Sequence, residues 1–229
     1  MRTLPVAVLV ALALAQTVSR AQITVSYNGG SGAPFIADPS GNPLTFSGGD
    51  YIGNNVEIGY FDNVGGFTLT PANANNLGII QLHWHPFDST NIRSIFGNQG
   101  SFARTSPTSI DASFNSKPID LWVFQTTDGL AANHANFANV LSYGIFSSSV
   151  TRSLTTFPWV FPNQGTTPPD NAPVLTTSDV NATQGIFYFG SLGSGGASLQ
   201  LAPVPEPGTF ALLGLGLAFA GILVRRVRA

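Results

Sequence analysis

Pro118-Ile119-Asp120-Leu121-Trp122-Val123-Phe124-Gln125 is the stretch on which the fold turns. In a strand, successive side chains point to opposite faces. Ile119, Leu121 and Val123 then share one face, and Trp122 and Phe124 the other. A strand that is apolar on both faces belongs in the middle of a sheet covered on both sides. Shorter β-type runs lie outward from it, at residues 23–27, 56–61, 67–70, 78–85, 141–146, 186–190 and 198–202. Clusters of Gly, Pro, Ser, Thr and Asn separate them. Many short strands with frequent turns predict an all-β body over residues 22–202, an antiparallel sandwich or jelly-roll. No fixed-period repeat is present, which argues against a solenoid or propeller.

Some segments read differently. Residues 130–141 are the one helical candidate, with Asp128 placed to cap it and Leu130, His134, Phe137 and Leu141 on one face. Phe157-Pro158-Trp159-Val160-Phe161-Pro162 carries two prolines, which confine it to an edge or a loop. Its aromatics either cover the end of the core or form an exposed platform for sugars. Residues 166–173 read as a loop, and the Gly/Ser-rich residues 190–196 as a turn or a hinge leading to the C-terminal segment.

Composition narrows the function classes. Of 229 residues, 43% are hydrophobic and only 9% charged, where a quarter is usual. Charge-driven disorder needs the opposite balance. Between Gln22 and Val204 stand ten acids and four bases (Arg93, Arg104, Lys117, Arg152), so the basic stripe of a nucleic-acid binder is missing. With no cysteine, stability rests on packing and ladder hydrogen bonds rather than disulfides.

The two ends stand apart from this body. Arg2, an apolar run over residues 4–15 and small residues at Ser19 and Ala21 predict a signal peptide over residues 1–21, cut between Ala21 and Gln22. Ala13-Leu14-Ala15 offers an earlier site, ranked second because Gln22 begins a strand-like pattern. At the other end, residues 209–224 (TFALLGLGLAFAGILV) carry no charge and precede Arg225, Arg226 and Arg228. As a helix they span about 24 Å, short of the roughly 30 Å hydrocarbon layer. Arginine snorkelling and bilayer thinning accommodate the deficit. The arginines should stay cytoplasmic and the body outside, in agreement with a signal peptide. A single C-terminal transmembrane helix, transiently anchoring an exported body, is the expectation.

Just before that run stands Val204-Pro205-Glu206-Pro207-Gly208-Thr209. Together with the apolar run and the arginines it resembles the PEP-CTERM sorting signal of exported bacterial proteins. The resemblance spans about residues 204–229; Val227 and Ala229 dilute the basic cluster. It implies delivery by the general secretion machinery and recognition by an exosortase, a membrane-embedded cysteine transpeptidase-like enzyme that removes the tail near Pro-Glu-Pro. It further implies a Gram-negative-type envelope, often with an exopolysaccharide-rich exterior or biofilm, and a final place at the cell surface or in the extracellular matrix. The residues themselves suit such a substrate. Prolines at 203, 205 and 207 lack N–H groups and forbid a regular helix, favouring an extended polyproline-like segment. Glu206 is the only charge between Asp179 and Arg225 and offers a recognition handle.

Chemistry is less well marked. In Gln81-Leu82-His83-Trp84-His85 a strand would place His83 and His85 on one face, with Ile80, Leu82 and Trp84 on the core side. A His-x-His pair can chelate a divalent metal with a third ligand, for which Asp88, Glu57 and His134 are available. The alternative is two solvent-facing imidazoles on a strand stopped by Pro86, and that is the preferred reading, with no metal or cofactor. Asp50, Asn54, Asn55, Glu57 and Asp62 are the densest oxygen ligands, but they lack any EF-hand or nonapeptide spacing for calcium. No nucleophile elbow, HExxH or P-loop is present, and no carboxylate pair is singled out for glycoside hydrolysis. Two classes remain: a non-catalytic exported surface or matrix protein, and a carbohydrate-directed lectin or hydrolase acting in the exopolysaccharide.

Overall fold

The computed structural model describes residues 23–204 except 31–33, 46–52, 54, 96–97, 108, 110, 128–131, 152–157 and 164–173. The signal-peptide segment with Gln22, the motif from Pro205 onward, the 209–224 run, the arginine cluster, and Asp50, Asn54, Asp128 and Leu130 therefore lie outside the described residues. Among the described residues, no helix is long and apolar enough to cross a membrane.

Among the described residues, thirteen strands and one short α-helix follow in chain order: β1 (Ser26–Gly29), β2 (Phe35–Ala37), β3 (Val56–Phe61), α1 (Leu77–His83), β4 (Trp84–Thr90), β5 (Arg93–Ile95), β6 (Asn98–Thr105), β7 (Asp120–Thr126), β8 (Val140–Ser148), β9 (Val174–Thr176), β10 (Gly185–Phe189), β11 (Ser191–Leu192), β12 (Ser198–Gln200) and β13 (Ala202–Pro203). The body is all-β in class. The largest sheet has the order β10-β8-β7-β3-β4, with β13 also on β8; a second runs β5-β6-β1-β9 and a third β11-β12-β2. Pairing is antiparallel except at β1 with β9 and β2 with β12, which are parallel. Both parallel pairs join an early strand to a late one, and the long intervening chain supplies the crossover that a parallel pair requires.

β7 lies in the middle of the largest sheet, as its two-sided apolar pattern predicts. Ile119, Leu121 and Val123 join Tyr27, Ile36, Val56, Ile58, Phe102 and Phe146 in one buried cluster that links all three sheets. Trp122 and Phe124 face the other way, into a second cluster with Ile80, Trp84, Tyr143 and Ile145. The register fixes these faces: Leu121 lies opposite Phe146, and Trp122 opposite both Ile145 and Glu57. Gly59 is required where β3 meets β4. A Cβ there would come within 2.2 Å of the His85 carbonyl oxygen, so any side chain would force the strands apart.

Several expectations are corrected. Residues 78–85 do not form one strand. Asn76 accepts a hydrogen bond from the Ile79 N–H and caps α1, and the chain becomes extended only at Trp84. Pro86 does not stop that strand, because β4 is the edge of its sheet and an edge tolerates the missing donor. Leu82, expected in the core, is 75% exposed. The described part of the predicted 130–141 helix is a series of turns over residues 132–139 that leads into β8 at Val140. Asn133 and Asn136 accept from the N–H groups of Ala135 and Ala138, local bonds that compete with a helical backbone. Residues 67–70 are not paired as a strand. Their Phe67 and Leu69 lie over the second cluster instead.

The described part of the 157–162 segment, residues 158–162, pairs with the chain just before β7, with Val160 bridging to Pro118. Its Trp159 and Phe161 are buried, at 3% and 1% exposure, so those two rings are core and form no sugar platform. Residues 190–196 hold β11 and a tight turn that returns to β12, so this stretch is a hairpin connection within the body rather than a hinge to the tail.

Candidate functional site

The sequence places its strongest functional signal where the folded body ends. β13 runs antiparallel to the start of β8, with Ala202 opposite Tyr143 and Pro203 opposite Ser142. One residue on, the Val204 N–H donates to the Leu141 carbonyl at 3.0 Å. The Val204 side chain packs against the second cluster. Of the four predicted sorting residues, Val204 is therefore part of the fold, and Pro205, Glu206 and Pro207 follow directly on it.

His83 and His85 come together, although through an element boundary rather than along one strand. Asp62, just past β3, lies between them. His83 Nδ1 is 2.7 Å from Asp62 Oδ1, and His85 Nε2 is 2.6 Å from Asp62 Oδ2. Each imidazole also stacks on a ring, His83 on Phe67 at 3.9 Å and His85 on Tyr60 at 4.7 Å. Partial burial alone would raise the Asp62 pKa. The hydrogen bonds from His85, His83 and the Val64 N–H outweigh it and hold the carboxyl down at about 2. The arrangement fastens the end of β3 to α1 and β4.

The proposed third ligands are engaged elsewhere. Asp88 Oδ2 accepts from Arg104 Nε at 2.8 Å and from the Tyr27 hydroxyl at 3.0 Å. Glu57 is 3% exposed and accepts from Trp84 Nε1 at 2.9 Å, with His134 Nδ1 also 2.9 Å from its Oε2. Asn55, fully buried, ties the Ile92 N–H to the Phe124 carbonyl through its side-chain amide. Asn55, Glu57 and Asp62 thus have separate partners and form no shared oxygen shell. Among the described residues, no group of three His, Cys, Asp or Glu side chains is placed to hold a metal ion.

One ionisable residue escaped the sequence reading altogether. Asp120 is 4% exposed in the centre of the large sheet. Burial pushes its carboxyl up to about 7, against hydrogen bonds from Ser147 and the Phe61 N–H. Its Oδ1, and the nearby Trp122 Nε1 two residues along the same face, have no hydrogen-bond partner. The signal was available: a carboxylate inside an otherwise apolar strand, at a position the period-2 pattern assigns to a covered face.

Comparison with known proteins bears on the C-terminal end alone. Residues 203–228 match the PEP-CTERM protein-sorting motif. No curated protein and no solved structure matches the chain.

Proposed function

We propose that the chain is exported, held for a time in the inner membrane by residues 209–224, and released by an exosortase-type enzyme, after which its β-rich body serves as a non-catalytic component of the cell surface or extracellular matrix. The observation that carries this reading is the sorting motif at residues 203–228, which begins where the last strand of the body ends. The implied partners are the secretion machinery, the membrane before processing, and the processing enzyme. The non-catalytic part rests on how the described acids and imidazoles are used. Glu57, Asp62 and Asp88 hold sheet edges and covers in place, and Asp120 is sealed from solvent.

The carbohydrate-directed alternative draws support from one groove of about 380 Å³ lined by Phe187, Tyr188, Phe189, Pro71 and Gln200. Aromatic and amide groups of that kind suit a glycan. A glycan that raises the melting temperature of the body by mass action would favour this second reading, and the Tyr188→Ala variant should then lose the shift.

Intact-mass measurement of the mature protein tests the first reading. The expected species begins at Gln22 and ends near residues 205–208. Replacing Pro205, Glu206 and Pro207 by alanine should leave export intact and trap the full-length chain in the membrane. A mature protein that keeps Arg225, Arg226 and Arg228 in cells carrying an exosortase would make the segment a plain anchor.

A further inference from the structure

Among the described residues six large apolar side chains are exposed: Val64, Ile79, Leu82, Leu141, Val160 and Val174. The first four belong to the irregular cover of the large sheet or to its border. Ile79 and Leu82 stand three apart on α1 and so share a side of it, while Ile80 is the residue that α1 buries. The Val64 N–H donates to Asp62, whose carboxylate also holds His83 at the end of α1. The Leu141 carbonyl accepts from the Val204 N–H, at the point where the described body ends. That end lies on the same side. Val204 and Leu77 both pack against the second cluster, and Pro71 lines one groove with Pro203. α1 begins six residues after Pro71 and is about 10 Å long. The stretches that build and border this side are neutral: residues 63–87, 132–151 and 180–204 contain no Asp, Glu, Lys or Arg. The body as a whole, from Gln22 to Val204, carries ten acids against four bases.

We propose that this neutral, apolar side, centred on Ile79 and Leu82, rests on the outer surface of the inner membrane while the chain is anchored. The proposal depends on the anchoring reading given above and deepens it by naming the surface of the body that meets lipid. Chain length selects lipid as the occupant. Val204 is the last described residue, and the apolar run begins at residue 209. The five steps between them reach at most about 18 Å, whatever path they take. An anchored body therefore keeps Val204 within that distance of the hydrocarbon layer, and the surface around Val204 lies nearest the headgroups. Charge points the same way. An anionic bilayer repels a body of net negative charge, and a side without charge is the one that can approach. Exposed apolar patches mark such contacts, and apolar side chains on an outward helix face gain by entering the headgroup boundary. The tether makes the contact intramolecular, so side chains too few to hold a free body suffice.

The test places the full-length chain in vesicles of phosphatidylethanolamine and phosphatidylglycerol, with a fluorescent label on one introduced cysteine in a chain that has none of its own. Leu82→Cys reports on the contact. Val174→Cys reports on the far side, because β9 belongs to the second sheet and its Leu175 points into the first cluster. Quenching by lipids that carry a spin label on the headgroup should be about threefold stronger at residue 82 than at residue 174. A label at Val64→Cys separates contact from mere nearness. Adding Ile79→Gln and Leu82→Gln to that chain should cut its quenching by about half, because less apolar area enters the boundary. Equal quenching at residues 82 and 174, or an unchanged Val64→Cys signal after the two replacements, overturns the contact in a chain that sediments with the vesicles. Shielding of residue 82 in native membranes alone would then assign this side to a protein partner. A chain that fails to sediment with the vesicles overturns the anchoring reading itself.

Discussion

The two faces of the large sheet are built from the same strands and sealed in different ways. Toward the other two sheets, β3, β7 and β8 present Val56, Ile58, Tyr60, Leu121, Val123 and Phe146, and sheet meets sheet across apolar side chains. On the opposite face the same strands carry Glu57, Asp120, Trp122, Phe124, Tyr143 and Ser147. There the cover is made of turns, α1 and irregular chain from residues 67–83 and 132–139. A sheet used as a cover brings its backbone already paired. An irregular segment brings unpaired carbonyls and polar side chains that need partners on the face it covers. The Tyr143 hydroxyl donates to the Ala74 carbonyl at 2.8 Å, and Glu57 meets Trp84 and His134. The polar content of the second face follows from the kind of layer that closes it.

The sharpest test of this contrast is whether the irregular cover is a packed layer at all. Trp122 is fully buried on that face, and Trp122→Ala should cost about 3–5 kcal/mol, as should core truncations such as Leu121→Ala on the other face at about 2–5 kcal/mol. Denaturant titration of both variants checks it. A loss below about 1 kcal/mol at Trp122 would mean that the cover opens freely.

The next largest effect concerns charge beneath that cover. The Asp120 carboxyl sits near pKa 7 in the folded chain against 3.8 for the free side chain. The native state therefore holds a proton that the unfolded chain has released. This contribution is intact below about pH 4 and falls away as the pH rises toward 7. Asp120→Asn should match the parent near pH 4 and exceed it at pH 8 by about 2–4 kcal/mol. Thermal melts across that range decide it, and a variant that is weaker at pH 8 would show that the ionised carboxylate is stabilised there.

At the rim between the faces the sign reverses. Asp62 is held near pKa 2 by its two imidazoles, so its contribution is present above about pH 4 and is lost as the pH falls toward 2. Asp62→Asn should cost about 1 kcal/mol at pH 7, a discounted figure for a group that solvent still reaches. It should also remove that part of the acid-side loss. Smallest of all, Leu82→Gln on the outer side of α1 should stay within about 0.5 kcal/mol. A larger loss would place another layer outside the cover.

These asymmetries also decide what could be read from the sequence. β3, β7, β8 and β10 were legible because burial on a sheet imposes runs dominated by β-branched, aromatic and other apolar residues. β6, with Asn98, Gln99 and Gly100 at its start, was not. Its Gly100 lies where a Cβ would come within 2.4 Å of the Ile36 carbonyl oxygen, a constraint set by a strand far away in sequence. α1 was misread because Ile79, Ile80 and Leu82 suit either period over so short a run, and the Asn76 cap decided the matter. The sequence marks the two histidines, but offers Asp88, Glu57 and His134 as their partners. Asp62 is joined to them by the antiparallel return of β4 along β3, which pairs Phe61 with Trp84, and the spacing of the residues carries no trace of that return. The sorting motif alone was fully legible, because it acts as a linear segment.

The parallel pairs of β1 with β9 and β2 with β12 set a timetable for the chain as it is made. Ser26 can pair with Thr105 early, but its second neighbour forms only when Val174 is available, and Phe35 finds its partner only when Ser198 is. A polypeptide emerging from its N-terminus cannot close either sheet until nearly the whole body has been synthesised, and contacts so distant in sequence form slowly. On the proposed export route, in which the chain would cross the membrane unfolded, this lateness is protective. The two smaller sheets stay incomplete until late, and the β2–β12 ladder, among the last to be completed, lies beside the segment where the tail begins.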